Sequence, residues 1–214
     1  MPFVANRDKE DNPLTYKDIS HIFEIFIEKY PHESRVYGAY ANYLVEEGQQ
    51  QKALDLFDRA LELNADQSEI WQEYLFLLSS LNNNDLLLEK SSEAVTFFPE
   101  KPMFRLFHGV SLFQENRLNE AANTMEKGLA QVEENPGLKG RLHSYLGDIY
   151  HSLENMEKCF HHYDKALEID KNNLIVLNNY SYYLAVRGED LDKAEKMSSK
   201  TVEMEPGNPT YLDT

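Results

Sequence analysis

The chain has 214 residues, of which 42% are hydrophobic and 12% aromatic, ample apolar material for a folded core. With 37 acidic against 21 basic side chains it carries a net charge of −16, a field that opposes nucleic acid and anionic lipid and favours basic peptides. Its single cysteine excludes an internal disulfide, no apolar run approaches the ~20 residues that cross a bilayer, and "MPFVANRDKEDN" lacks the basic and apolar regions of a leader peptide.

The first predicted element, "KDISHIFEIFIEKYPHE" at 17–33, is an amphipathic helix with no partner before it. From Glu33 onward the chain repeats itself. Small or apolar residues recur 34 apart at Ala41, Leu75 and Gly109, then 38 on at Gly147 and 34 on at Ser181. A turn column keeps step through Gly48, Asn82, Asn116, Glu154 and Gly188, mostly residue types that tolerate a left-handed backbone. Ala53, Leu87, Ala121, Cys159 and Ala194 form another column, and Ala60, Ala94, Gly128, Ala166 and Thr201 a third.

Between the columns apolar residues fall three and four apart, as in Tyr37, Tyr40, Ala41, Leu44 and then Ala53, Leu56, Phe57, Ala60, Leu61. That is the period of a helix with one buried face, so each unit is a helical hairpin. The units are 34–67, 68–101, 102–139, 140–173 and 174–208, followed by the start of a further one at 209–214. Four extra residues between Gly128 and Gly147 are placed in a loop around "ENPGLKG", and one extra residue in "RGEDLDK". The last helix, with Ala194, Met197 and Val202, is expected to expose an apolar strip, and self-association through such terminal helices is a further expectation.

A helix pair of 34 residues with small residues at its eighth, twentieth and twenty-seventh positions and a frequent proline near its end resembles the tetratricopeptide repeat. Trp71, Tyr74, Leu75, Leu78, Ala94 and Pro99 carry the likeness in one unit, and Tyr37, Tyr40, Ala41, Leu44, Gly48, Ala53, Phe57 and Ala60 in another. The resemblance implies an all-α, right-handed α-α superhelix of about eleven antiparallel helices in one solenoid. The stretch from Val176 to the C-terminus looks like distal repeats of bacterial cell-envelope members, which implies a piece of a longer array. It also implies a periplasmic or envelope location, with the cytoplasm as the alternative.

In the resembled family the first helix of each unit lines a concave groove. Carried over position by position, the peptide-binding candidates are Asn42, Phe76, Leu106, Val110, Phe113, His151, Asn178 and Tyr182. The fourth unit also presents Arg141, Ser144, Asp148 and Ser152, and the fifth Ile175, Ala185 and Val186. Met103, Leu106, Val110 and Phe113 make the third unit mostly apolar. Facing solvent they would be a patch that grips a peptide; covered by the inserted residues or a neighbouring helix they would be core. A receptor for chaperone tails is disfavoured, since the basic and amide positions it needs hold Gly38, Asn42, Glu73, Met103 and Phe107, of which only Asn42 fits.

One cluster invites a metal: Cys159, His161 and His162. Cys159 falls in a column of small buried residues. His162 shares its face, whereas His161 points about 100° away, so this helix offers at most two ligands where zinc needs three or four. His143 and His151 on the partner helix are the side chains that would complete such a site. No phosphate loop, nucleophile elbow or H-E-x-x-H motif is present. The expectation is a non-catalytic scaffold for a protein or peptide, without cofactor or metal; the alternatives are an architectural spacer or chemistry at the Cys/His cluster.

Overall fold

The computed structural model describes residues 16–212, so the N-terminal stretch examined for a leader, and the last two residues of the opening sixth unit, lie outside the described residues. Among them the chain is all helix. It runs α1 (Tyr16–Lys29), α2 (Ser34–Glu46), α3 (Gln50–Leu63), α4 (Ser68–Ser80), α5 (Asn84–Phe97), α6 (Pro102–Gln114), α7 (Leu118–Gln131), α8 (Pro136–Ser152), α9 (Met156–Ile169), α10 (Leu174–Arg187), α11 (Leu191–Met204) and the single turn α12 (Pro209–Leu212). None of these helices is long and apolar enough to cross a membrane.

The helices end where the backbone can reverse. Gly48, Asn82, Asn116, Glu154 and Gly188 all adopt positive φ, between 52° and 75°. At each, two amides reach back to the helix just finished, as Gly48 N–H to Val45 O and Gln49 N–H to Leu44 O. The same pair recurs as Glu154 to His151 and Asn155 to Tyr150, and as Gly188 to Ala185 and Glu189 to Leu184. This pair of hydrogen bonds satisfies carbonyls that a helix end leaves unpaired. The extra residue in "RGEDLDK" is Glu189, lodged between this turn and Asp190, whose carboxylate caps α11 by accepting from Lys193 N–H.

The chain divides into two compact units, residues 1–83 and 84–214. In the first, α2 and α3 form a hairpin against which α4 packs. Phe57 stacks on Tyr74 at 5.4 Å, and the Tyr74 hydroxyl donates to Asp58 at 2.9 Å. Phe23 of α1 stacks on Tyr40 at 4.8 Å, while Ile22, Ile25, Phe26 and Tyr30 stay exposed. Early side chains of α2 and α4 cap the preceding segment: the Tyr37 hydroxyl donates to Pro31 O and the Trp71 indole to Ala65 O.

In the second unit α6–α7, α8–α9 and α10–α11 are hairpins, and α5 lies against α6. Arg105 repeats the capping device by donating to Pro99 O at 3.0 Å. The small-residue columns are buried because a second helix lies against them: Ala121, Cys159, Ala166 and Thr201 are all at most 1% exposed.

Two expectations are corrected. The four extra residues do not form a loop. They lengthen α8 to 17 residues by a turn at its N-terminus, where Asn135 accepts from Leu138 N–H and Pro136 occupies the first turn, a position that needs no amide. Gly140, at the end of this turn, lies beside Ile169 of α9, where an added Cβ would make an ordinary contact at 3.4 Å. Nor does α11 expose Ala194 and Met197, which are buried in the core shared with α10; its exposed apolar side chains are Leu191 and Met204.

Gly147 is held to its size by the rigid ring of Tyr163, whose carbons would lie 2.3 and 2.4 Å from an added Cβ. Gly147→Ala is therefore expected to cost about 1–3 kcal/mol in chemical denaturation. At Gly38 an added Cβ meets the flexible end of Ile70 at 2.9 Å. The helix preference for alanine, about 1 kcal/mol, should offset that contact, so Gly38→Ala stays close to wild type.

Candidate functional site

The sequence-derived groove residues separate into three groups. Asn42 and Phe76 are exposed on the first unit. Leu106 and Val110, in the second, are core: they are 0% and 8% exposed and belong to one buried cluster with Leu138, Leu142 and Leu146 of α8. The expectation that the third hairpin presents an apolar patch to solvent fails for these two residues. The added turn of α8 supplies Leu138 to that cluster, and Met103 and Phe113 pack partly buried against it.

His151, Asn178 and Tyr182 form the third group, and the structure brings them together on α8 and α10. The spacing of Ile175, Asn178 or Asn179, Tyr182 and Val186 places them along one side of α10. Three of these are apolar and open to solvent, Ile175 at 63%, Tyr182 at 50% and Val186 at 69% exposure. Buried Val176, Leu177, Tyr180 and Leu184 hold the opposite side of the same helix in the core, which fixes the orientation of the stripe.

Beside the stripe, His151 lies flat on Tyr183, with ring centroids 3.5 Å apart and planes within 7°. Tyr182 meets Tyr183 edge-on at 5.7 Å. One turn back on α8, Asp148 Oδ1 accepts from the Tyr163 hydroxyl of α9 at 2.5 Å and from Asn179 Nδ2 of α10 at 3.0 Å. One carboxylate thus ties three helices together at the foot of the aromatic group. Burial pushes the Asp148 carboxyl above its ordinary range although both hydrogen bonds oppose this, and burial lowers His151, leaving a neutral ring at pH 7. Burial also lifts the Tyr183 phenol to about 12.

Tyr183 is absent from the groove positions that the sequence offers, and Asp148 stands among them without any sign that it ties three helices together. A signal was present: Tyr182 and Tyr183 are adjacent, so when one faces outward the other lies about 100° round the helix, against the preceding hairpin.

The Cys/His cluster divides. Cys159 is fully buried in its small-residue column, and burial pushes its thiol up to about 12, so it packs as a neutral thiol at pH 7. His161 is exposed. His162 is buried against His143, their Nδ1 atoms 2.9 Å apart, and Tyr150 stacks on it at 5.5 Å. No group of three metal-binding side chains converges among the described residues.

The stacked hairpins, left-handed turns and small-residue columns define the class of tetratricopeptide-repeat proteins. The chain is one: residues 34–77 and 142–173 match models of the tetratricopeptide repeat. Solved structures of that architecture align over most of it. The structure of PilF from Pseudomonas aeruginosa does so with a TM-score of 0.74 and 17% identity over 92% of this chain and 87% of the other. A MamA crystal structure aligns with a TM-score of 0.67 and 15% identity, covering 78% and 94%. YrrB, described as a tetratricopeptide protein with an unusual peptide-binding site, gives 0.66 and 17%, covering 89% and 96%. No curated protein sequence matches the chain. At these identities the structural likeness speaks for the fold.

Proposed function

We propose that the chain is a non-catalytic scaffold in a bacterial assembly that binds a peptide segment of a partner protein along α8 and α10 of its second unit. The observation that carries this reading is the exposed stripe Ile175, Tyr182 and Val186 on a helix whose other side is locked in the core. A large apolar side chain left half open at a well-packed position is the kind of anchor that protein interfaces use. The repeat fold supports the reading, as does its occurrence in a peptide-binding neighbour. Asn178 lies one turn before Tyr182 on the same helix and belongs to the same binding face in this proposal.

The test compares polypeptide recovered from the organism's own extract by wild type and by a Tyr182→Ser/Val186→Ser variant. The variant is expected to lose most of the bound polypeptide while its stability changes by no more than about 0.5 kcal/mol, as is usual for exposed substitutions. Equal recovery would point to the architectural reading, in which the repeats only hold neighbouring parts apart. The burial of Leu106 and Val110 favours that alternative for the third hairpin, because it removes the apolar groove expected there.

A further inference from the structure

We infer that Asp148, with His151, Tyr182 and Tyr183 beside it, receives a lysine or arginine side chain of the bound peptide. The inference rests on the peptide-binding reading and names the chemistry of the partner. Asp148 spends one oxygen, Oδ1, on Tyr163 and Asn179, and both donors are neutral. Its other oxygen takes no hydrogen bond, and no lysine or arginine pairs with the carboxylate, among the described residues.

The nearby imidazole of His151 is neutral and stacked on Tyr183, so it supplies no cation either. A carboxylate drawn out of water without a counter-charge gains more from an arriving cation than an exposed one does, because the surrounding dielectric is lower. Three exposed acidic side chains of this unit, by contrast, already hold a cation: Glu120 binds Arg117, Glu168 binds Lys165 and Asp164 binds Lys193.

The aromatic neighbours suit the same ligand. The stem of a lysine or arginine can lie on the half-exposed ring of Tyr182 while its head reaches towards the carboxylate, and the open ring face attracts the charge. Ile175 and Val186, on either side along α10, would take apolar neighbours of that residue. The net charge of −16 draws a basic peptide towards the chain, and the local site decides where it settles.

The probe is a set of capped hexapeptide pools, each holding one position as Lys, Arg, Leu or Glu and randomised elsewhere, passed over the immobilised full-length chain at physiological ionic strength. Lys and Arg pools should be retained about tenfold over Leu pools, with Glu pools lowest. Asp148→Asn keeps an oxygen for Tyr163 and Asn179 and should bring Lys and Arg pools down to the level of Leu pools, with a melting temperature near wild type.

A Lys and Arg preference that survives Asp148→Asn would belong to the overall field and overturn the inference. Retention of Leu pools alone would overturn it while leaving the peptide-binding reading standing. Failure to retain any pool would remove both. So would a dimer, seen by sedimentation, that Tyr182→Ser dissolves, since a second copy would then cover the stripe.

Discussion

Truncating Leu106 to alanine is expected to lower stability by about 2–5 kcal/mol, the range for a fully buried leucine whose surroundings relax only in part. Leu106 is 0% exposed and shares its cluster with Leu138, Leu142 and Leu146 of α8 and with Met125 of α7. Removing its branched end leaves a cavity where two hairpins meet, and neither can close it without giving up its own packing. The midpoint of urea denaturation measures the loss directly. Tyr182→Ser is the control, because its ring is half exposed and lies outside that cluster. If Leu106→Ala cost no more than the control, Leu106 would face solvent after all and the groove would return to the third hairpin.

The burial of Leu106 marks the limit of what residue spacing carries. The repeat was legible because small residues at fixed spacing reflect a steric demand: Ala53, Ala121 and Cys159 sit where a facing helix leaves no room. The reversals were legible for a similar reason, even at Glu154, where a non-glycine residue takes φ of 58°. Spacing also revealed four extra residues between Gly128 and Gly147, yet their number does not say whether they loop or coil. An insertion that leaves the helix columns intact points to a turn. Asn135 followed by Pro136 was the stronger signal, a cap and a first-turn proline that together start a helix early. Once α8 starts there, Leu138 joins the core and Leu106 and Val110 are covered.

The candidate site was half legible. Position within the repeat identified Tyr182, Asn178 and His151 as outward-facing, and Ile175 and Val186 as their neighbours. Tyr183 stacking on His151, and Asp148 binding two other helices, depend on how adjacent hairpins rotate against each other, which no single-helix period contains.

Acid should destabilise this chain through the histidine pair that sequence reading had weighed as metal ligands. With Nδ1 atoms 2.9 Å apart, one neutral ring of His143 and His162 donates to the other, and a second proton on that axis would set two N–H groups against each other. Burial is the main cause that lowers both rings to about 4; His161, Lys139 and Lys165 add to it at His143, and His143, His161 and Lys158 at His162. Glu168 and Glu126 oppose it weakly. The folded values lie below the ordinary 6.5, so below that pH the unfolded chain binds more protons. Stability is therefore full above pH about 6.5 and falls as the pH drops towards about 4, by on the order of 3 kcal/mol for the pair at about 1.4 kcal/mol per pKa unit. Urea midpoints across this range, for wild type and a His143→Phe/His162→Phe variant, isolate the contribution. The variant should lose markedly less stability on acidification, since phenylalanine fills the same space and takes up no proton. Equal losses in both proteins would place the acid sensitivity in the carboxylates and leave the histidine pair a simple packing contact between α8 and α9.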